Sequence, residues 1–172
     1  HTEHHMEGPD NCPTRTMQPL FDAVHEEYEK PDVAEFARQA SIQEYECYMH
    51  LPEGLTPRNP RVEEVAQFAK KMDYTRLGIA FCAGLRNEAG ILDEILQRRG
   101  FEVVSVSCQV GGMPKETIGI RQDQKIAGPE TWETMCNPIA QAKLLNEAAT
   151  EFNIVVGLCV GHDSLFFRYA EA

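Results

Sequence analysis

The chain is short of positive charge. It carries 16 Lys and Arg against 27 Asp and Glu, a formal net charge of −11, so a polyanion such as nucleic acid is repelled rather than gathered. No basic stripe is visible to offset this. Long apolar runs are missing as well: none approaches the ~18 residues that a bilayer-spanning helix needs, which excludes a membrane span within these residues. No secretory leader, internal repeat or low-complexity tract is visible in these residues. A dinucleotide fingerprint is lacking too, because the glycine spacing after Gly84 fails.

What is present suits a globular domain of ordinary size. At 172 residues and 42% hydrophobic content, the chain is long enough to bury a core without obligatory disulfide or metal staples. Its six cysteines could in principle pair. The length, the absence of a leader and their positions favour reduced thiols and a cytoplasmic location. The chain opens on His1-Thr2-Glu3-His4-His5 without an initiator Met and stops at Ala172 soon after Leu165-Phe166-Phe167; both ends read as those of a fragment. The terminal histidines His1, His4 and His5 read as adventitious metal ligands at most.

The first third has helical periodicity. Met17–Glu29 places Leu20, Phe21, Val24 and Tyr28 at helix spacing, and Pro31 opens a second helix with Val33, Phe36, Ala37 and Ala40 on one face. The Pro- and Gly-rich run from Leu51 to Pro60 reads as a connector. Asn59 and Pro60 then begin a helix striped by Val62, Val65, Ala69 and Met72.

From Leu77 the pattern becomes strand, turn, helix, strand. Leu77–Phe81, a helix over roughly Arg86–Arg99, Gly100 as its stop, and Glu102–Ser107 form a βαβ unit whose strands should be parallel neighbours. A helix begun by Asn137 and Pro138, with Ile139, Ala142, Leu145, Ala149 and Phe152 on its apolar face, is followed by a third strand, Ile154–Leu158, with Asn153 as the helix stop. The long segment Gln109–Met135 has room for a small element of its own near Glu116–Ile120. The expected architecture is α/β: a small doubly wound, mostly parallel sheet with helices on both faces and an N-terminal helical extension. In domain terms, 1–16 is a partly ordered lead-in and 17–172 a single domain, divided into a helical extension over 17–75 and a βαβ core over 76–172.

The cysteines fall in a pattern. Cys82, Cys108 and Cys159 each lie one residue beyond an expected strand, and Cys136 immediately precedes an expected helix start. Ligands of open α/β sheets are held at the strand carboxyl ends, so these four thiols should converge there as ligands of a metal ion or cluster. With the second strand, first strand and third strand in that order, Cys108 and Cys159 stand two strand spacings apart, ~10 Å before loops bend inward, which suits an iron–sulfur cluster somewhat better than zinc. The helix start should favour the Cys136 thiolate. His162, three residues after Cys159, is a further ligand or proton carrier.

Two other readings remain open. A thiol-dependent enzyme or redox protein would use Cys82 or Cys159 as the attacking group with His162 as base. A small-anion-binding module would use Arg86 and Asn87 after the first strand, where a helix N-terminus can hold a small anionic ligand. Cys47 reads as packing, and Cys12, in a polar Pro-containing start, as part of a second site.

Three strings carry a resemblance: Gly78–Ala89 around Cys82, Cys136–Ala142, and Gly157–Phe166 around Cys159. In this order they are similar to an uncharacterised family of anaerobic bacteria and archaea whose members are described as metal-binding proteins (domain of unknown function family 1847). The resemblance runs from about Cys12 to Ala172. It implies metal binding through Cys82, Cys108, Cys136 and Cys159 and no established reaction. Family members often carry a Cys-rich start and a Lys-Asp-Arg and His-Asn-Pro tail, which this chain lacks.

Overall fold

A computed structural model describes residues 9–172, so the reading of His1, His4 and His5 lies outside the described residues. The chain divides into two compact units between Phe68 and Ala69. The first contains α1 (Pro13–Thr16), α2 (Gln18–Tyr28) and α3 (Pro31–Glu46), followed by a hairpin of β1 (Tyr48–Leu51) and β2 (Gly54–Pro57). Proline opens α1 and α3 at their first turn, where a missing N–H costs nothing.

The hairpin corrects the connector reading of that segment. Leu51 pairs with Gly54 around a two-residue turn at Pro52-Glu53, and Gly54 supplies a φ of 133° that L side chains rarely adopt. The polar centre of this unit is Gln43, whose amide donates to Cys47 Sγ (3.0 Å) and Gln67 Oε1 (2.8 Å). Phe36 meets Phe68 edge to face with ring centroids 5.1 Å apart.

Helix α4 (Arg61–Lys71) leads into the second unit, a three-stranded parallel sheet in the order β4-β3-β5. The strands are β3 (Arg76–Phe81), β4 (Glu102–Ser107) and β5 (Phe152–Val156). β3 lies in the middle because Leu77, Gly78, Ile79 and Ala80 are all buried, the continuous apolar run of a strand covered on both faces. α5 (Arg86–Arg98) carries the chain from β3 to β4, and α6 (Pro138–Glu147) carries it back across β3 to β5. Because the two crossovers run in opposite directions, right-handed connection puts these helices on opposite faces. The result is a doubly wound α/β arrangement. One core cluster joins Ala80, Val106, Ala142, Leu145 and Phe166, the last from α7 (His162–Tyr169). No helix among the described residues is long and apolar enough to cross a membrane.

The third strand starts two residues earlier than its sequence pattern suggests. α6 stops at Glu147 because Ala149 turns left-handed at φ 52° and Thr150 Oγ1 donates back to the Leu145 carbonyl (3.1 Å). Phe152 is thus a strand residue opposite Leu77, and Asn153 pairs with Gly78 instead of ending a helix. Cys159 consequently lies three residues beyond the strand. The long connection holds 3-10 turns at Lys115–Ile118, where a small element is expected, and at Gln122–Gln124, and Lys115 pairs with Glu133 at 3.0 Å.

At the opposite end of the sheet, Glu151 ties β3 to β5. Its carboxylate accepts from the backbone N–H groups of Thr75 (2.7 Å) and Arg76 (2.8 Å) and from Thr75 Oγ1 (3.0 Å). The backbone N–H of Arg76, then that of Thr75, holds this carboxyl below its usual range. Such a group stabilises the fold fully above the unfolded-state value of about 4.3 and loses its contribution as pH falls through the lower folded value. Glu151→Gln should cost about 1 kcal/mol at neutral pH for this exposed cluster. Denaturant titrations should show that gap narrowing below about pH 4; a gap of constant size would contradict the assignment.

Candidate metal centre

The carboxyl edge of the sheet is assembled by backbone hydrogen bonds that carry the cysteines with them. Beyond β3, Cys82 N donates to the Val156 carbonyl (3.0 Å), and Cys108 N donates to the Phe81 carbonyl (2.8 Å). Both residues therefore extend the parallel ladder by one step. Cys136 arrives from a remote part of the chain, because Asn137 N donates to the Cys108 carbonyl at 2.6 Å. Asn137 also caps α6, its Oδ1 accepting from Ala140 N at 3.1 Å, with Pro138 at the first helical position. The same Asn-Pro pair thus starts the helix and presses Cys136 against Cys108.

Cys159 and His162 are brought together by a turn. His162 N donates to the Cys159 carbonyl (2.9 Å), and Gly161 adopts φ 81°, ψ −20°, the third-position geometry of a type II turn that demands glycine. Gly157, at φ 58°, starts the loop in a left-handed conformation that L side chains rarely adopt, and its Cα faces the Leu85 side chain.

The result is a group of donors. The Cys136 and Cys159 sulfurs and a ring nitrogen of His162 all lie within 4.8 Å of one another. Cys108, Cys159 and Cys82 all lie close enough to Cys136 to push its thiol up. Cys108 is buried, Cys82 and Cys136 are half-buried and Cys159 is exposed; all are free thiols. Cys108 Sγ also accepts from Ala83 N at 3.3 Å.

The electrostatics of Cys136 correct the sequence expectation. Its thiol is pushed up to about 12, chiefly by burial and then by Cys108, with smaller contributions from Cys159 and Cys82. Being at the start of α6 does not favour its thiolate, because desolvation and crowding by other sulfurs outweigh the helix end. Such a group ionises readily only when a cation joins it. The chemistry of the donor set suits a thiophilic ion: several sulfurs and one imidazole, the mixture found in sulfur-rich zinc sites. Around one ion with bonds of ~2.3 Å, tetrahedral sulfurs stand about 3.8 Å apart, so the trio is within small side-chain adjustments of that spacing.

The other sequence candidates are placed differently. Arg86 and Asn87 lie on the exposed first turn of α5, and their side chains make no hydrogen bond or ion pair among the described residues. Cys47 is buried in the first unit beside Gln43. Cys12 stands just before α1 in that unit, and hydrogen bonds from Thr14 draw its thiol below the ordinary value. One residue with a part in the edge went unread in the sequence: Gln141, a fully buried polar side chain on the apolar face of α6. An amide interrupting that apolar stripe was its only signal.

The Uncharacterized protein MJ0455 of Methanocaldococcus jannaschii is 44% identical to this chain over 149 residues, which cover 87% of the chain and 70% of the relative. No solved structure matches. Residues 12–172 match the family described as Protein of unknown function (DUF1847), and the chain belongs to that family.

Proposed function

We propose that the protein is a metal-binding protein whose centre is held by Cys82, Cys108, Cys136 and Cys159, with His162 as a further ligand. The observation that carries this reading is the approach of Cys136, Cys159 and His162 to within 4.8 Å of one another; Cys108 and Cys82 lie close enough to raise the Cys136 thiol. Loops remote in sequence converge there, bringing sulfur and imidazole donors to one edge of the sheet.

Two cofactors fit the donors. An iron–sulfur cluster uses four thiolates and accounts for the presence of Cys82 as well as Cys108. Zinc or another single ion fits the short separations better, because a cluster sets its ligands on different irons and spreads them apart. Bound there, either group would supply the positive charge that lets the crowded thiols ionise. A cytoplasmic location belongs to this reading, since all six cysteines are free.

Protein purified without oxygen should contain close to one equivalent of zinc, or iron with matching acid-labile sulfide. Plasma emission analysis and a visible spectrum distinguish the two. Finding neither metal above a tenth of an equivalent, with no uptake from added ions, would remove the proposal.

A second reading is favoured by one feature. Cys159 is the exposed thiol of the group and lies beside His162, the arrangement of a nucleophile with its base. It requires Cys159 to alkylate much faster than the other thiols near neutral pH; uniformly slow labelling counts against it.

A further inference from the structure

Gln141 is fully buried on the face of α6 that also buries Pro138, Ala142 and Leu145. Such a position ordinarily holds an aliphatic residue. Its Nε2 donates to two main-chain carbonyls on different strands, Phe81 of β3 at 3.2 Å and Val106 of β4 at 2.7 Å. Its Oε1 has no hydrogen-bond partner among the described residues. The two acceptors dictate which end of the amide faces the strands, so the other end goes unpaired. A buried acceptor kept without a donor calls for an explanation beyond filling space.

The two strands that supply those carbonyls run on directly into the cysteines. Phe81 immediately precedes Cys82, and Val106 lies two residues before Cys108. The Phe81 carbonyl accepts from Cys108 N (2.8 Å) as well as from Gln141. Through its own backbone, Gln141 donates to the Asn137 carbonyl (3.0 Å), and Asn137 N is the group bound to the Cys108 carbonyl at 2.6 Å. One residue therefore links the ends of two strands and the cap of α6, and the thiols that those three segments carry are Cys82, Cys108 and Cys136.

We propose that Gln141 is a positioning residue of the metal centre, fixing the separation of Cys82, Cys108 and Cys136 through the main chain without itself touching the ion. The inference rests on the metal-binding reading. On this reading the amide serves the geometry of the thiols and not the stability of the core. Outer hydrogen bonds that orient ligands are typically worth about 10- to 100-fold in metal affinity.

The test uses the full chain and two variants, Gln141→Met and Gln141→Leu, which are close in volume and cannot donate. Apo protein is melted thermally, and Co(II) is titrated anaerobically against a chromophoric chelator while the sulfur-to-cobalt charge-transfer and d–d bands are recorded. Apo melting temperatures close to that of the unaltered chain are expected, with Co(II) affinity lowered about 10- to 100-fold and the d–d bands shifted. Unchanged affinity and bands in both variants would overturn the positioning role while leaving the metal centre standing. Variants that fail to fold, or whose affinity loss only tracks a loss of apo stability, would show a structural role instead and also overturn it. If the unaltered chain takes up no Co(II), the metal-binding reading fails and this inference goes with it.

Discussion

Cys136→Ser should lower the affinity for zinc or cobalt about 100-fold. Structural zinc sites bind with about 10–16 kcal/mol shared among four ligands, so one ligand is worth about 3 kcal/mol, or two powers of ten. Cys136 is the member of the group on which the other three thiols act, and its sulfur lies within 4.8 Å of both Cys159 and His162. The fold should survive, because a half-buried thiol gives way to a hydroxyl of similar shape. Cys47→Ser is the control: that thiol is buried in the first unit and hydrogen-bonded by Gln43, so its loss should leave metal affinity unchanged. Chelator competition measures both, and equal affinities for the Cys136 variant and the unaltered chain would contradict the assigned centre.

Metal uptake should release protons and strengthen as pH rises. Cys136 is pushed up to about 12 by burial and neighbouring sulfurs, so in the metal-free protein it is a neutral thiol throughout the physiological range. Only the thiolate ligates, so binding must expel that proton. Apparent affinity then rises about tenfold per pH unit between about pH 6 and pH 8 from this group alone, with any further thiol protons adding to the slope. Titration calorimetry in buffers of differing ionisation enthalpy counts the protons directly. A site built from carboxylates, already ionised at these pH values, would release none and show a flat profile.

The sheet and its cysteine edge were legible because they rest on strong local patterns. Leu77–Phe81 is an uninterrupted apolar run and the Asn137-Pro138 pair caps and starts a helix; each became the element its chemistry suggested. The order β4-β3-β5 matched the βαβ pattern. Where reading and structure part, a tertiary partner decided. Phe152 has the spacing of a helix residue, but it stacks on Tyr74 with centroids 6.1 Å apart and enters the sheet beside Leu77. The hairpin at Tyr48–Pro57 was hidden because its strands are short and exposed throughout, so no buried face left an alternating signature.

The site was legible in part for the same reason. Strand ends put Cys82 and Cys108 at the sheet edge because the ladder continues through them. The ionisation of Cys136 was not legible: a helix start argues for a thiolate, and only the proximity of the other sulfurs and burial, both consequences of the assembled fold, reverse the sign. Gln141 was missed because a buried amide in a helix stripe has no sequence signature until its two carbonyl acceptors are in place.

X-ray absorption at the edge of the metal bound to the full chain tests the central claim most directly. The account predicts a first shell dominated by sulfur at ~2.3 Å, with a nitrogen contribution from His162 if the ion is single and a short iron–iron vector if a cluster is present. A first shell of oxygen and nitrogen alone would contradict it.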